Sequence, residues 1–218
     1  MTHPLWPLYD LRVRTARLEL HLPTEAELVK LATLARAGVH GDDEMPFAFP
    51  WSTIPSPGFE WGFARYHWRL RGSWEPEHWG LDLGVYVDGH PVGIQGLYAG
   101  DFARMHAVHS GSWLGRDHQG RGIGKEMRIA ILALAFDGLG AEVAETEAFA
   151  DNAASLGVSR ATGYEENGVG RMAPHGEPRD TVRFRLTRER WLRVRAERRF
   201  PLVAIDGLAP CLPLFGAG

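Results

Sequence analysis

Six residues, Gln119-Gly120-Arg121-Gly122-Ile123-Gly124, constrain this chain more than any other feature. They follow a strand-like run, Ala107 to Leu114, and lead into Ile123, Met127, Ala130, Ile131 and Leu134 at helical spacing, a helix expected to end at Gly138 or Gly140. A strand that turns through alternate glycines into a helix leaves several backbone N–H groups unpaired at the positive end of the helix dipole. That is an anion site, most naturally for phosphate. A side chain at Gly120, Gly122 or Gly124 would fill the space the phosphate oxygens need. Spacing excludes two common phosphate patterns: a dinucleotide fingerprint starting at Gly120 needs a third glycine where Lys125 stands, and a P-loop needs Ser or Thr where Glu126 stands.

Length and composition bound the rest. With 218 residues, 44% hydrophobic and no Ser/Gly linker or repeat, the chain reads as one domain over 1–199 with a tail over 200–218. No apolar run approaches the roughly 20 residues of a membrane span, and Met1 to Asp10 has neither a basic start nor an apolar signal core, so a cytoplasmic protein is expected. A lone cysteine, Cys211, excludes a disulfide framework and multi-cysteine metal sites. Net charge −3 gives no reason to expect nucleic acid or an anionic membrane as partner. Eight arginines fall between Arg183 and Arg199, read as a solvated helix face.

Local signals predict a strand over Arg14 to Leu22, then a helix to about Arg36 opened by a Thr24/Glu27 capping box. A proline- and aromatic-rich loop, Gly41 to Pro57, precedes a helix from Phe59 to Leu70. A hairpin follows, Leu81 to Val87 and Pro91 to Tyr98, turning at Asp88-Gly89 as type I′. Val143 to Phe149 reads as a strand, Asn152 to Thr162 as a helix closed by Gly163, Val182 to Leu186 as a strand, and Arg188 to Arg199 as a last helix. The order implies a mixed sheet flanked by helices, an α/β (α+β) chain.

The glycine turn resembles the pyrophosphate loop of the GCN5-related N-acetyltransferases (GNAT), which reads Gln or Arg, two residues, Gly, any, Gly or Ala. Asn152-Ala153-Ala154-Ser155 with Gly163-Tyr164 looks like that family's Asn-x-x-Ser helix and Gly-Phe closing turn, and Thr15 to Leu20 looks like the opening strand of its RimJ/RimL-type branch. Together the pieces cover about residues 14 to 187. Met45-Pro46-Phe47, Pro50-Trp51, Ser110 to Gly115 and Pro213 to Gly216 resemble an actinobacterial group that includes a succinyl-CoA-using transferase.

The resemblance implies a mostly antiparallel sheet splayed at two parallel strands, with acyl-CoA, acetyl-CoA or succinyl-CoA, as co-substrate. Its pantetheine would lie along Ser112, Trp113 and Leu114, with Gln119, Gly120, Arg121, Gly122, Ile123, Gly124, Lys125, Asn152 and Ser155 as further cofactor contacts. A primary amine, on a small molecule, a protein N-terminus or a lysine, would attack the thioester directly. Many members place a tyrosine where Ser159 stands, so Ser155 takes the role of thiolate partner here. Asp101, His109, Glu145 and Glu147 are open as general base, and a water relay with them. No metal is expected: on a strand His106 and His109 point to opposite faces. A non-catalytic acyl-CoA sensor is the alternative reading. The aromatics between 45 and 79 read as core or subunit-contact residues, which makes a homodimer plausible.

Overall fold

The computed structural model describes residues 3–218. Its strands and helices are β1 (Arg12–Arg14), β2 (Glu19–His21), α1 (Glu25–Ala37), α2 (Gly58–Gly72), β3 (His78–Val87), β4 (His90–Gly100), α3 (Phe102–Met105), β5 (Ala107–Leu114), α4 (Ile123–Ala133), β6 (Val143–Phe149), α5 (Ala153–Ala161), β7 (Glu165–Met172), β8 (Arg179–Thr187), α6 (Arg188–Glu197) and β9 (Ala204–Asp206). The strands form one sheet in the order β7-β8-β6-β5-β4-β3-β2-β1-β9, antiparallel except where β5 meets β6. This is the mixed, mostly antiparallel α/β architecture that the sequence predicts.

Local chemistry sets several boundaries. Thr24 Oγ1 accepts from the Glu27 N–H at 3.3 Å while Glu27 Oε2 accepts from the Thr24 N–H at 2.8 Å, which completes the capping box of α1. Asp88 (φ 48°) and Gly89 (φ 75°) supply the paired positive angles of the hairpin turn. The strand expected over Arg14 to Leu22 is instead two short strands, because Thr15 Oγ1 accepts from the N–H groups of Arg17 (3.3 Å) and Leu18 (3.0 Å) and turns the chain back. β7 carries no strand signal: it is a polar edge strand with a register shift between Glu166 and Val169.

Most arginines between Arg183 and Arg199 are exposed, as a solvated face requires, and several of them also bond the main chain. Arg188 donates to the carbonyls of Phe136 (2.8 Å) and Ala141 (3.2 Å), and Arg198 to those of Arg160 and Ala161, both at 2.8 Å. These bonds bring cations to carbonyls at the C-terminal end of α5 and in and just after the π-helical turn Leu134–Gly138 that follows α4. The C-terminal residues also enter the fold. β9 pairs with β1, Cys211 and Phe215 are fully buried, and the indole N–H groups of Trp74 and Trp79 donate to the Leu214 and Phe215 carbonyls at 2.8 and 3.1 Å. Burial pushes the Cys211 thiol up to about 11, against any nucleophilic role.

The feature that positions a site is where two strands part. β5 and β6 are paired only at Ala107↔Val143, Val108↔Ala144 and His109↔Glu145. Beyond that β5 follows β4 to Leu114 and β6 follows β8 to Phe149. Thr146 Oγ1, donating to the Ser110 carbonyl at 2.9 Å, marks the vertex.

Candidate functional site

The glycine turn lies at the open end of this splay. Gly120 and Gly122 have φ of 71° and 78°, left-handed values that favour glycine, and Gly122 caps α4. Among the described residues no main-chain acceptor faces the N–H groups from Gly120 to Lys125; Glu126 is the first to pair, with the Gly122 carbonyl at 3.1 Å. A Cβ on Gly120 would meet nothing within 4 Å, and one on Gly122 only Arg17 at 3.8 Å, so both face open space. Gly124 differs: a Cβ there would touch Val158 (3.6 Å) and Leu114 (3.7 Å) at ordinary contact distance, so it faces packed side chains and not the open turn. Gln119 turns inward, its Nε2 donating to the carbonyls of Val39 (2.9 Å) and Leu114 (3.0 Å), which fixes the turn to the end of β5. Arg121 and Ile123, with Arg17, His90 and His118, line a cavity of about 270 Å³ beside the turn. Lys125 Nζ sits 5.6 Å from the Phe200 ring centre, away from it.

One face of β5 looks to α4 and α5. There Ser110 Oγ is 3.1 Å from Tyr164 Oη, and Arg128 Nη2 donates to Ser112 Oγ at 3.3 Å. Burial raises the Tyr164 hydroxyl, and Arg128 opposes that shift. Asn152 caps α5, its Oδ1 accepting from the Ser155 N–H at 3.0 Å. Ser155 is half-buried, whereas Ser159 is 1% exposed and donates to the Ser155 carbonyl at 3.1 Å, so its hydroxyl is already committed.

The other face looks to α1 and α2. His109 Nε2 and Glu145 Oε2 are 3.3 Å apart, and Glu147 accepts from Thr181 Oγ1 with Arg183 Nε at 3.5 Å. Trp113 packs on Trp51 and Phe63, with ring centres 5.7 and 6.5 Å apart. Asp101 is not brought to this cluster: it lies three residues past Tyr98, the partner of His109, roughly 10 Å along β4, and pairs with Arg104 at 3.0 Å.

Sequence reasoning missed a buried polar network on this face. Asp82, Gly96 and Gly111 form one row across β3, β4 and β5, and the Tyr98 ring fills the groove that the two glycines leave. Tyr98 Oη donates to Asp82 Oδ1 at 2.5 Å, and Tyr66 Oη lies 3.4 Å from Tyr98 Oη. Burial pushes the Asp82 carboxyl up to about 6, against the hydrogen bonds from Tyr98 and Tyr66, and pushes both phenols up. His67, 3.9 Å from Asp82, is held down to about 3 by burial, with Arg71 adding to it. The signal was an aspartate between Leu81 and Leu83, visible only once both faces of β3 are known to be covered.

Residues 17–165, the larger part of the chain, match the profile of the Acetyltransferase (GNAT) domain. The chain belongs to the GNAT acetyltransferase family. Its fold is shared with solved structures of low identity. Mycobacterium smegmatis RimJ, in complex with CoA-disulfide, is 14% identical at a TM-score of 0.70, and the match covers 89% of this chain and 97% of its own. A GCN5-related N-acetyltransferase from Brucella melitensis is 21% identical at a TM-score of 0.68, covering 86% and 83%. RimL, a ribosomal-protein α-N-acetyltransferase in complex with coenzyme A, is 16% identical at 0.64, covering 79% and 95%. This GNAT chain shares its fold with these neighbours, two of which are complexes with coenzyme A or its disulfide.

Proposed function

We propose that this GNAT chain moves an acetyl or succinyl group from acyl-CoA to a primary amine by direct attack. The observation that carries the reading is the run of unpaired amides from Gly120 to Lys125 beside the free edge of β5. The amides take the pyrophosphate, and the pantetheine pairs with Ser112, Trp113 and Leu114. A β5 N–H facing the splay polarises the thioester carbonyl, a kind of donor whose loss commonly costs on the order of 100-fold in rate. The amine approaches from the α1/α2 face. Its proton goes to the His109–Glu145 pair, to Glu147, or through Tyr98 to Asp82. The leaving thiolate accepts from the Ser155 hydroxyl; Asn152, engaged as a helix cap, holds that residue in place.

The acceptor amine, on a small molecule, a protein N-terminus or a lysine, comes from the α1/α2 side of β5. A homodimer would use Trp61 and Trp68, 62% and 53% exposed at i, i+7 on α2. The buried Ser159 favours a second reading, a sensor that binds acyl-CoA without transferring it. Ligand that binds only the folded state raises the melting midpoint, by about 5–10 °C at a hundred-fold excess over Kd for a chain of this size. Such a rise with CoA, acetyl-CoA or succinyl-CoA but not ATP is the expected outcome. Thiol release against a panel of amines then separates enzyme from sensor; no shift with any CoA species would sink both.

A further inference from the structure

From Met127 to Ala133, α4 is buried on every side, and one charged residue lies in that stretch: Arg128, 3% exposed. Its guanidinium makes a single hydrogen bond among the described residues, to Ser112 Oγ, while Nε and Nη1 are buried without an acceptor. Arg128 joins none of the ion pairs among the described residues. The carboxylates of the adjoining strand, Glu145 and Glu147, point to the opposite face, where His109, Thr181 and Arg183 hold them. Around Arg128 the α4 face of the splay is polar without being acidic. Ser110 Oγ and Tyr164 Oη lie 3.1 Å apart there, and Gln95, across the strand pair from Ser112, has a buried Oε1 with no donor.

A guanidinium taken out of water without a counter-charge is costly, and its free N–H groups are directional donors suited to a carboxylate. An apolar residue at this position would pack in a stretch, Met127 to Ala133, that is otherwise apolar. We propose that Arg128 is the carboxylate receptor of the acyl pocket: the transferred acyl group ends in a free carboxylate, as in succinyl, which Arg128 and the hydroxyls of Ser110, Ser112 and Tyr164 receive. Beyond the thioester carbonyl that both acyl groups share, an acetyl group has only a methyl to set against these donors. The assignment rests on the reading that the thioester of acyl-CoA lies along β5 at Ser112. Arg128 then selects the donor and leaves the grip on CoA itself to the glycine turn.

Calorimetric titration of the whole chain with CoA, butyryl-CoA and succinyl-CoA tests this. Butyryl has the same four carbons and no carboxylate. Wild type is expected to bind succinyl-CoA at least tenfold more tightly than butyryl-CoA. In Arg128→Leu that preference disappears while CoA and butyryl-CoA stay within about threefold of wild type, and Arg128→Lys keeps part of it. Equal affinity of wild type for succinyl-CoA and butyryl-CoA overturns the proposal whatever the variants do. Loss of CoA binding in a folded Arg128→Leu protein also overturns it, by making the arginine structural. So does an equal fall in turnover with both donors, which would assign the guanidinium to the leaving sulfur. Failure of wild type to bind any CoA species is a different result and sinks the underlying placement of CoA.

Discussion

Asp82 and His67 respond to pH in opposite directions although they face one another. Asp82 meets Tyr66 and His67 from α2 and Tyr98 from β4; His67 has Arg71 one turn further along α2. The folded-state value of Asp82, about 6, lies above its ordinary 3.8. Between those values the folded state keeps a proton that the unfolded chain has released, so stability falls as pH rises through the window, by roughly 3 kcal/mol in all. The folded-state value of His67, about 3, lies below its ordinary 6.5, so there stability rises with pH. The two trends oppose each other between pH 4 and 6. Asp82→Asn removes the first and keeps the second. Its unfolding free energy, from urea melts, should rise with pH between 4 and 6 more steeply than that of wild type, by on the order of 1 kcal/mol per pH unit. Parallel profiles would show that Asp82 does not titrate there. Neither this aspartate nor Arg128 was legible as a site residue, because each sits in an apolar stretch whose polar member is usually solvent-facing, and Tyr164 read only as part of a closing turn after Gly163. The Asn152/Ser155 spacing was legible as local structure, since it survives as a helix cap.

The strand-turn-helix element was read almost completely from six residues, because positive φ and an uncapped helix start are local properties of glycine. Its glycines nonetheless do different work. Gly122→Glu places a carboxylate where the amides converge and an L residue at φ 78°. CoA binding should fall at least 100-fold, while stability drops by only about 1–2 kcal/mol, the usual cost of a left-handed non-glycine residue. Gly124→Ala adds a methyl at ordinary contact distance from Val158 and Leu114 and should keep CoA affinity within a few-fold. Titration of both variants checks the contrast; retained binding in Gly122→Glu would show that the pyrophosphate lies elsewhere. In α4 the sequence shows apolar residues at helical spacing, whereas the structure buries every residue from Met127 to Ala133, with α5 packed against the helix.

At the scale of the whole molecule, the C-terminal residues close the sheet and seal one end of the core. Phe215 is fully buried, its ring centre 4.9 Å from that of Trp79 and 5.3 Å from that of Trp74. Phe215→Ala should lower the unfolding free energy by about 3–5 kcal/mol, the range for large aromatic truncations in a core. Chemical denaturation measures it, and a change below about 1 kcal/mol would place the tail outside the cooperative unit. No local pattern marks this role: Ala204–Asp206 is three residues long, and its partner β1 lies almost 200 residues earlier.

The sequence by itself determined the turn, the capped helices, the hairpin and the family, because these depend on backbone preferences and spacings within a few residues. Tertiary structure decided where the strands part, which polar groups lose water, and that an arginine on α4 stands unpaired beside β5. Burial and electrostatic partnership depend on which elements cover a residue, and that is fixed only when distant segments pack.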